Sequence, residues 1–437
     1  MRLCYRIAIT SSVQQTTSTT APLLLPPYSS DHISSFTCFA IKNDTTSLLK
    51  MQTQKMTTLT ENDAFYNCHL CPPKLGKKWR EYQGCNDWEG LLDPLHHAMR
   101  CEILRYGQFV DAAYRAFDFD PTSSSYATCR FSKNVLLTRT GFGSTGYRVT
   151  KHLHATCGVQ TPGWIDRLPS WMSIKSSWIG YVAVCQDKDE ISRLGRRDVV
   201  IALRGTATCL EWLENLHTTL TDLPPHVGPS GSCRPRVERG FCSLYTSRTA
   251  TCPSLQDMIR DEVARIVELY GDEPLSLTIT GHSLGAALAI LSAYDITTTF
   301  ADAPSVTVFS FGGPRVGNKS LRCQLDKSGT KILRIVNSDD LVTKVPGFVI
   351  EEDNDVARMY SFHVASWIRK RMKSTEWGYA NVGKELKLCS KESPYLNNIN
   401  FATCHDLKTY LHLVKGFVSS TCPFKATKEV LSTRLIN

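Results

Sequence analysis

The chain has 437 residues, of which 42% are hydrophobic and 21% are charged, and this composition excludes a disordered or fibrous protein. At roughly 150 residues per domain, the length allows one large α/β domain or up to three small ones. Its apolar stretches all fall short of the roughly 18 residues of a transmembrane helix, so any membrane contact is expected to be peripheral. The net charge of +9 is spread along the chain, and nucleic acid is therefore not indicated as a partner.

The 17 cysteines are odd in number and irregularly spaced, unlike those of small disulfide-rich secreted domains, so we expect a reducing compartment. One Cys-x-x-Cys motif, Cys68 to Cys71, lacks a second ligand pair at zinc spacing. The sequence therefore indicates neither a bound metal nor a redox centre.

The first fifty residues contain sixteen serines or threonines and no acidic residue before Asp31. This composition resembles an organelle transit peptide, and an ordinary disordered tail is the alternative. We therefore separate residues 1–75, as a leader, from a globular domain over residues 76–437.

From Trp79 onward the periodicity is globular, and Tyr106, Phe109, Val110, Ala113 and Tyr114 fall at helical spacing. The predicted strands are Trp178 to Cys185, Val199 to Leu203, Leu275 to Thr280, Val306 to Phe311 and Ile332 to Val336. Amphipathic or small-residue helices are predicted between them, notably over Met258 to Tyr270 and Ala286 to Tyr294. Strands alternating with helices predict a mainly parallel sheet covered on both faces.

The segment Gly141 to Gly146 satisfies G-x-G-x-x-G, the pattern of a dinucleotide-binding turn, and Asp166 follows twenty residues later. The required helix is missing, because Tyr147 to Pro162 is rich in β-branched residues and ends in proline. We therefore expect a glycine-rich hairpin turn and no nucleotide cofactor.

The segment Gly281 to Gly285 reads G-H-S-L-G and fits the nucleophile-elbow pattern, with a predicted strand before it and a predicted helix after it. Such a tight turn requires small flanking residues and exposes the hydroxyl of Ser283. The N–H of Leu284, at the start of the helix, points to where an oxyanion would form. The sequence therefore predicts the α/β-hydrolase fold with Ser283 as nucleophile.

In this fold the acid and then the histidine follow the serine in the chain. The strand Ile332 to Val336 runs into Asp339 and Asp340 at the sheet edge where sites of open α/β sheets collect. Only one of them can face the histidine, and we expect Asp339 to be a solvated turn residue.

Three histidines follow Asp340, namely His363, His405 and His412. His363 lies in an apolar run, Met359 to Ile368, and His412 lies inside a predicted helix, so both are expected to have packing roles. His405 precedes that helix on a loop, from which its ring can reach the serine, and we expect it to be the base.

A second oxyanion donor is expected on the loop after an earlier strand, where Val199 to Leu203 leads into Arg204-Gly205-Thr206. Thr206 offers both an N–H and a hydroxyl, and an ordinary turn is the alternative. Next, Leu210, Leu213, Leu216 and Leu220 line one side of a predicted helix. This segment is interpreted as a mobile lid or as a helix packed permanently on the core.

The region from about Trp79 to Phe417 resembles the plant class I phospholipase A1 group, the plastid gamma type especially, within the class 3 lipase family. The resemblance rests on Trp79-Arg-Glu-Tyr-Gln-Gly to Asp93-Pro94, Arg204-Gly-Thr-Ala-Thr-Cys-Leu-Glu-Trp212, Gly281-His-Ser-Leu-Gly-Ala-Ala-Leu-Ala289, Phe311-Gly-Gly-Pro-Arg-Val-Gly317, and Cys404-His-Asp-Leu407 leading to Tyr410-Leu-His-Leu413. It implies that the acid is Asp340, which precedes Leu341-Val-Thr-Lys-Val-Pro346. Asn381 and Cys389 depart from the family pattern, which has histidine and aspartate there.

The resemblance implies a serine hydrolase that needs no cofactor and releases the sn-1 fatty acid of glycerolipids in the plastid. Phosphatidylcholine, galactolipids and triacylglycerol are the expected substrates, met by peripheral contact at a membrane or lipid-droplet surface. Two alternatives stay open. One is an inactive lipid-binding module on the same fold, and the other is a hydrolase of neutral lipids or small esters.

Overall fold

The structure is a computed structural model that describes residues 72–156, 176–206, 219–223, 234–345, 378–393, 396 and 400–421. Several features of the sequence lie outside these residues. They are the leader up to residue 71 with its Cys-x-x-Cys motif, most of the predicted lid, and His363.

A seven-stranded sheet forms the centre of the described domain. Its strands, in spatial order, are β1 (Tyr147–Thr156), β2 (Ser176–Cys185), β3 (Arg197–Leu203), β6 (Leu275–His282), β7 (Ser305–Phe311), β9 (Lys331–Asn337) and β11 (Lys384–Leu388). The pairs among β1, β2 and β3 are antiparallel, and the remaining pairs are parallel. The predicted mainly parallel sheet is confirmed, and it contains every predicted strand.

A second, smaller sheet is antiparallel and is formed by short strands from segments that follow β3, β7 and β9 in the chain. Its strands, in spatial order, are β10 (Tyr379–Ala380), β8 (Gly317–Asn318), β5 (Arg236–Glu238) and β4 (Leu220–Asp222). Leu220, expected in the helical stripe of the lid, lies in β4 and pairs with Glu238. That part of the helix prediction is wrong, because strand pairing with a distant segment overrides the local helical periodicity.

Helices cover both faces of the large sheet, as predicted. They are α1 (Trp79–Tyr82), α2 (His97–Ala116), α3 (Leu136–Arg139), α4 (Lys188–Leu194), α5 (Arg239–Thr246), α6 (Leu255–Tyr270), α7 (Leu284–Thr299), α8 (Lys319–Lys327), α9 (Phe401–His405) and α10 (Leu407–Gly416). Among the described helices, none combines the length and apolar character needed to cross a bilayer.

Side chains of the central strands alternate between two hydrophobic cores. In β3, Val200 and Ala202 pack with residues of α2 and α10, whereas Val199 and Ile201 pack with residues of α5, α6 and α7. A parallel strand buried on both faces needs such a continuous apolar run. This two-sided burial holds the carboxyl ends of β3, β6, β7 and β9 at one edge of the sheet.

The G-x-G-x-x-G segment connects the short helix α3 to β1 and contains a single 3-10 turn, Gly143–Thr145. The expected hairpin is wrong, because the preceding run forms a helix that buries Leu136 and Leu137 instead of a strand. A strand and not a helix follows the glycines, so this segment lacks the helix N-terminus that a dinucleotide phosphate requires.

Candidate active site

Ser283 lies in a strained turn between β6 and α7. Its backbone has φ 58° and ψ −125°, a conformation that non-glycine residues rarely adopt and that is found in nucleophile elbows. Any side chain on Gly281 would collide with the backbone of Gly285, and any side chain on Gly285 would collide with the carbonyl oxygens of Leu203 and Arg204, which explains both flanking glycines. The Ser283 Oγ is buried and has no hydrogen-bond partner among the described residues, so it is available to a substrate.

Asp340 and His405 form a buried hydrogen-bonded pair at the same edge of the sheet. The distance from His405 Nδ1 to Asp340 Oδ2 is 2.7 Å. Because a carboxylate can only accept, the Nδ1 nitrogen carries the hydrogen, and this tautomer leaves Nε2 as the basic atom of a neutral imidazole. The structure thus brings together two of the predicted site residues in the orientation that a general base requires.

Further bonds hold Asp340, and sequence reasoning did not assign them. The Tyr410 hydroxyl donates to Asp340 Oδ2 at 2.7 Å, and the backbone N–H of Val342 donates to Oδ1 at 2.9 Å. Tyr410 lies in one of the family-like blocks, but its helical spacing indicated only a core residue. The tyrosine hydroxyl could have indicated a bond to a polar side chain, because a buried tyrosine O–H requires an acceptor.

His405 is the last residue of α9 and not part of an open loop. The side chain of Asn337 donates to the backbone carbonyl of Cys404 at 2.9 Å, which ties this helix end to the end of β9. The expected loop position is therefore wrong, although the residue still precedes helix α10, where His412 lies half-buried as expected.

Asp339 is not the solvated turn residue that we expected. Only 9% of it is exposed, and its Oδ2 accepts bonds from Ser390 N at 3.0 Å, Ser390 Oγ at 2.8 Å and Lys391 N at 3.1 Å. Burial raises the pKa of Asp339, but these bonds and the nearby Lys391 ammonium outweigh it and lower the pKa below its ordinary value. Asp339 therefore anchors the segment after β11.

The turn at Arg204 to Thr206 lies directly against the serine elbow. A Cβ on Gly205 would lie 2.9 Å from Ser283 Cβ, so only glycine fits there. The next residue, Thr206, has a buried hydroxyl with no hydrogen-bond partner among the described residues. Leu284 is the first residue of α7, and its N–H has no acceptor within the helix. Leu284 thus follows Ser283 directly in the chain, and Thr206 follows the glycine that lies against Ser283.

Arg204 holds this turn in place from the protein interior. Its guanidinium donates to the carbonyls of Trp178 and Gly205 at 2.6 Å each and lies over the Phe117 ring at 3.4 Å. Burial lowers the pKa of Arg204 to about 10, so the group stays charged at neutral pH. A fixed positive charge beside the turn favours any negative charge that forms there.

Within the described residues, the structure contains no group of three or more histidine, cysteine, aspartate or glutamate side chains placed to hold a metal ion. A mainly parallel sheet with a serine elbow after a central strand, and an Asp–His pair at the same edge, defines the class of α/β-hydrolase esterases.

Comparison with known proteins narrows this class. The family model "Lipase (class 3)" matches residues 200–350. The chain is 63% identical to "Phospholipase A(1) DAD1, chloroplastic" of Arabidopsis thaliana, over 82% of this chain and 80% of that protein. It is 40% identical to "Phospholipase A1-Igamma3, chloroplastic", over 78% and 66%, and 37% identical to "Galactolipase DONGLE, chloroplastic", over 78% and 70%, both also from Arabidopsis thaliana.

A solved lipase from Rhizopus microsporus var. chinensis covers 73% of this chain and 84% of its own, with 18% identity and a TM-score of 0.42. The family assignment rests on the plant relatives and not on this structural likeness. The chain belongs to the plant phospholipase A1 group of the class 3 lipase family and is a carboxylic-ester hydrolase. The plastid location predicted from the leader is confirmed by the chloroplast relatives.

Proposed function

We propose that this enzyme releases the sn-1 fatty acid of glycerolipids with Ser283 as nucleophile, His405 as general base and Asp340 as the residue that orients the base. The strongest support is the 2.7 Å bond between His405 Nδ1 and Asp340 Oδ2, at the sheet edge that also holds the strained serine. A buried serine hydroxyl with no hydrogen bond to the described residues is costly to keep unless a substrate uses it.

The chemistry follows from these positions. The Ser283 oxygen attacks the ester carbonyl while His405 Nε2 accepts its proton, and the N–H groups of Thr206 and Leu284 stabilise the oxyanion. His405 then returns the proton to the leaving alcohol, which leaves an acyl-serine. Water, activated by the same histidine, releases the fatty acid and restores the hydroxyl. No step requires a cofactor.

The substrate assignment rests on the relatives, which are named phospholipase A1 and galactolipase. We propose phosphatidylcholine and galactolipids as the main substrates and triacylglycerol as a further one, met by peripheral contact at a membrane or lipid-droplet surface. Residues 1–75 would direct the chain to the plastid, and residues 76–437 would form the catalytic domain. Because Leu75 is buried and its N–H bonds to the Arg193 carbonyl, a truncated enzyme should begin before Pro72.

A fluorophosphonate probe tests the chemistry, because it reacts only with an activated serine. We expect labelling of the wild-type chain at Ser283, identified by peptide mass spectrometry, and none of Ser283→Ala. An inactive lipid-binding module would not label in either form. A panel of phosphatidylcholine, monogalactosyldiacylglycerol, triacylglycerol and p-nitrophenyl butyrate then separates a glycerolipid hydrolase from a small-ester hydrolase, which would cleave only the last.

A fluorescent fusion of residues 1–75 tests whether this leader directs the enzyme to the plastid. We expect plastid import, and a fusion that remained in the cytosol would contradict the transit-peptide proposal.

A further inference from the structure

His282, the residue before the nucleophile, bridges two parts of the site that lie far apart in the chain. Its Nδ1 lies 2.7 Å from the Tyr114 hydroxyl, and its Nε2 lies 2.7 Å from the backbone carbonyl oxygen of His405. The rings of His282 and His405 are 4.8 Å apart and tilted by 34°. His282 is therefore held between helix α2 and the base, and no step proposed above uses it.

The hydrogen positions in this arrangement follow from chemistry. A carbonyl oxygen only accepts, so Nε2 of His282 carries the hydrogen and Nδ1 accepts one from the Tyr114 hydroxyl. The Tyr114 oxygen in turn accepts the N–H of Gly205 at 2.8 Å. One directed series of hydrogen bonds thus runs from the turn that precedes Thr206, through Tyr114 and His282, to the backbone of the base.

We propose that Tyr114 and His282 form a positioning pair. The pair holds the turn from Arg204 to Thr206, here called the oxyanion turn, and the catalytic base in their places beside Ser283. This inference rests on the proposed function of the triad. The pair acts on turnover and not on lipid binding, because both of its ends attach to groups that move protons or stabilise charge.

Two consequences follow for the reaction. The N–H of Gly205 is occupied by Tyr114, so the turn offers the substrate the donors of Thr206. The His405 carbonyl is fixed by His282, so the imidazole has little freedom beyond the bond of its Nδ1 to Asp340. A displacement of about 1 Å in such a group can cost 10²-fold in rate.

The surroundings of His282 keep it neutral beside the base. Burial, and secondly the adjacent His405, hold the pKa of His282 well below its ordinary value. The titratable groups that face it are Tyr114, His405 and Tyr410, whose ring centre is 6.1 Å away, with Asp340 behind His405. A neutral His282 does not repel the imidazolium that forms when His405 accepts the serine proton.

The test begins with three single variants of the pair, assayed with p-nitrophenyl butyrate as substrate and with a fluorophosphonate as a second probe of Ser283. His282→Phe keeps an aromatic ring but loses both bonds, and we expect kcat to fall by about 10- to 100-fold with KM within about twofold. Tyr114→Phe should lose about 10-fold. His282→Gln can donate and accept as the imidazole does, and it should recover most of the loss. Labelling rates should follow kcat.

Tyr245→Phe is the matched control. It too removes a tyrosine hydroxyl, in this case a fully buried one that donates to Asp295 at 3.1 Å, and we expect it to lower thermal stability without changing kcat. The double variant Tyr114→Phe/His282→Phe should be no slower than His282→Phe, because both substitutions break the same series of bonds.

Several outcomes would overturn the positioning role. They are wild-type kcat in Tyr114→Phe, a rise in KM alone, losses that multiply in the double variant, or equal kcat losses in Tyr245→Phe. If His282→Phe does not fold, Tyr114→Phe and His282→Gln decide the question by the same criteria. Ser283→Ala separates the two proposals. Activity retained in that variant refutes the triad, whereas an inactive Ser283→Ala alongside unaffected pair variants refutes only the positioning pair.

Discussion

Strands β3 and β6 have buried polar groups at both ends, and the two ends differ in how completely those groups are bonded. At the amino ends, a buried ion-pair cluster contains Glu102, Arg105, Arg196 and Asp198. Arg105 lies 3.0 Å from Asp198, and the Ser276 hydroxyl donates to the same carboxylate at 2.8 Å. Two positive charges here balance two negative ones.

At the carboxyl ends, the buried hydroxyls of Thr206 and Ser283 have no hydrogen-bond partner among the described residues. Native proteins satisfy nearly all buried polar groups, so each exception needs an explanation, and a bound substrate supplies one for these two hydroxyls. The comparison teaches that burial and polarity alone do not mark the active site of this enzyme. The active site lies at the end where buried hydroxyls lack hydrogen-bond partners among the described residues. The fully bonded ion-pair cluster at the other end stabilises the fold.

The sharpest test of this comparison is Ser283→Ala. We expect kcat to fall by roughly 10⁶-fold, because only the oxyanion donors and substrate binding remain. The free energy of unfolding should hardly change, since the hydroxyl makes no bond in the described structure. Initial rates on phosphatidylcholine vesicles and urea unfolding measure the two quantities. A variant that keeps a tenth of the wild-type rate would remove Ser283 from the mechanism.

The second test is Asp340→Asn, which should lower kcat by about 10⁴-fold, because an amide at this position favours the wrong tautomer of His405. Asp339→Asn is its neighbouring control. Since Asp339 anchors Ser390 and Lys391, we expect a loss of about 1–2 kcal/mol in stability and less than a tenfold change in kcat. Similar kcat losses in both variants would mean that the two aspartates share a structural role.

Asp198→Asn tests the opposite end of the same strands. Burial raises the pKa of Asp198, yet Arg196 and Arg105 outweigh it and lower the pKa below its ordinary value. Removing this charge leaves two buried arginines with one carboxylate, which should cost about 3–5 kcal/mol of unfolding free energy. The folded fraction should keep its kcat. Exposed Glu89→Gln serves as the control, and loss of kcat per folded molecule would show that the cluster is coupled to the site.

Glu238 is an intermediate case, because only one of its two carboxylate oxygens accepts a hydrogen bond within the described part of the chain. Its Oε2 accepts the Phe241 N–H at 2.7 Å, whereas Oε1 has no hydrogen-bond partner among the described residues. Burial raises the pKa of Glu238 to about 7 from an ordinary value of 4.5. The folded state therefore binds this proton more tightly than the unfolded state, and the wild-type enzyme loses stability as the pH rises through this interval.

Glu238→Gln should remove that loss, making the variant more stable above pH 7 by at most about 3 kcal/mol, with little difference below about pH 4.5. Urea unfolding of both proteins at several pH values measures the difference. Parallel stability curves across the interval would show that Glu238 does not titrate there.

Local sequence patterns were sufficient to predict five of the seven strands of the large sheet, the presence of helices on both of its faces and the serine elbow. The β-branched run of β3 and the small residues around Ser283 have one favourable local arrangement each, so periodicity and turn chemistry specify them. Chain order and the family resemblance then led to Asp340 and His405. Where such patterns were weak, as at Leu220 and the Gly141 to Gly146 turn, the predictions were wrong.

The roles of single polar side chains depended on contacts between distant parts of the chain, and only the tertiary structure decided them. Tyr114 and His282 are 168 residues apart, and Asp339 meets Ser390 across 51 residues. The strand and helix periodicities of 2.0 and 3.6 residues cannot predict such pairings. They are local patterns, whereas these contacts arise when separate strands and helices pack against one sheet. The sequence by itself thus determined where the nucleophile Ser283 could lie. The packing of distant segments determined which neighbours hold His405, the turn before Thr206 and Asp339 in place.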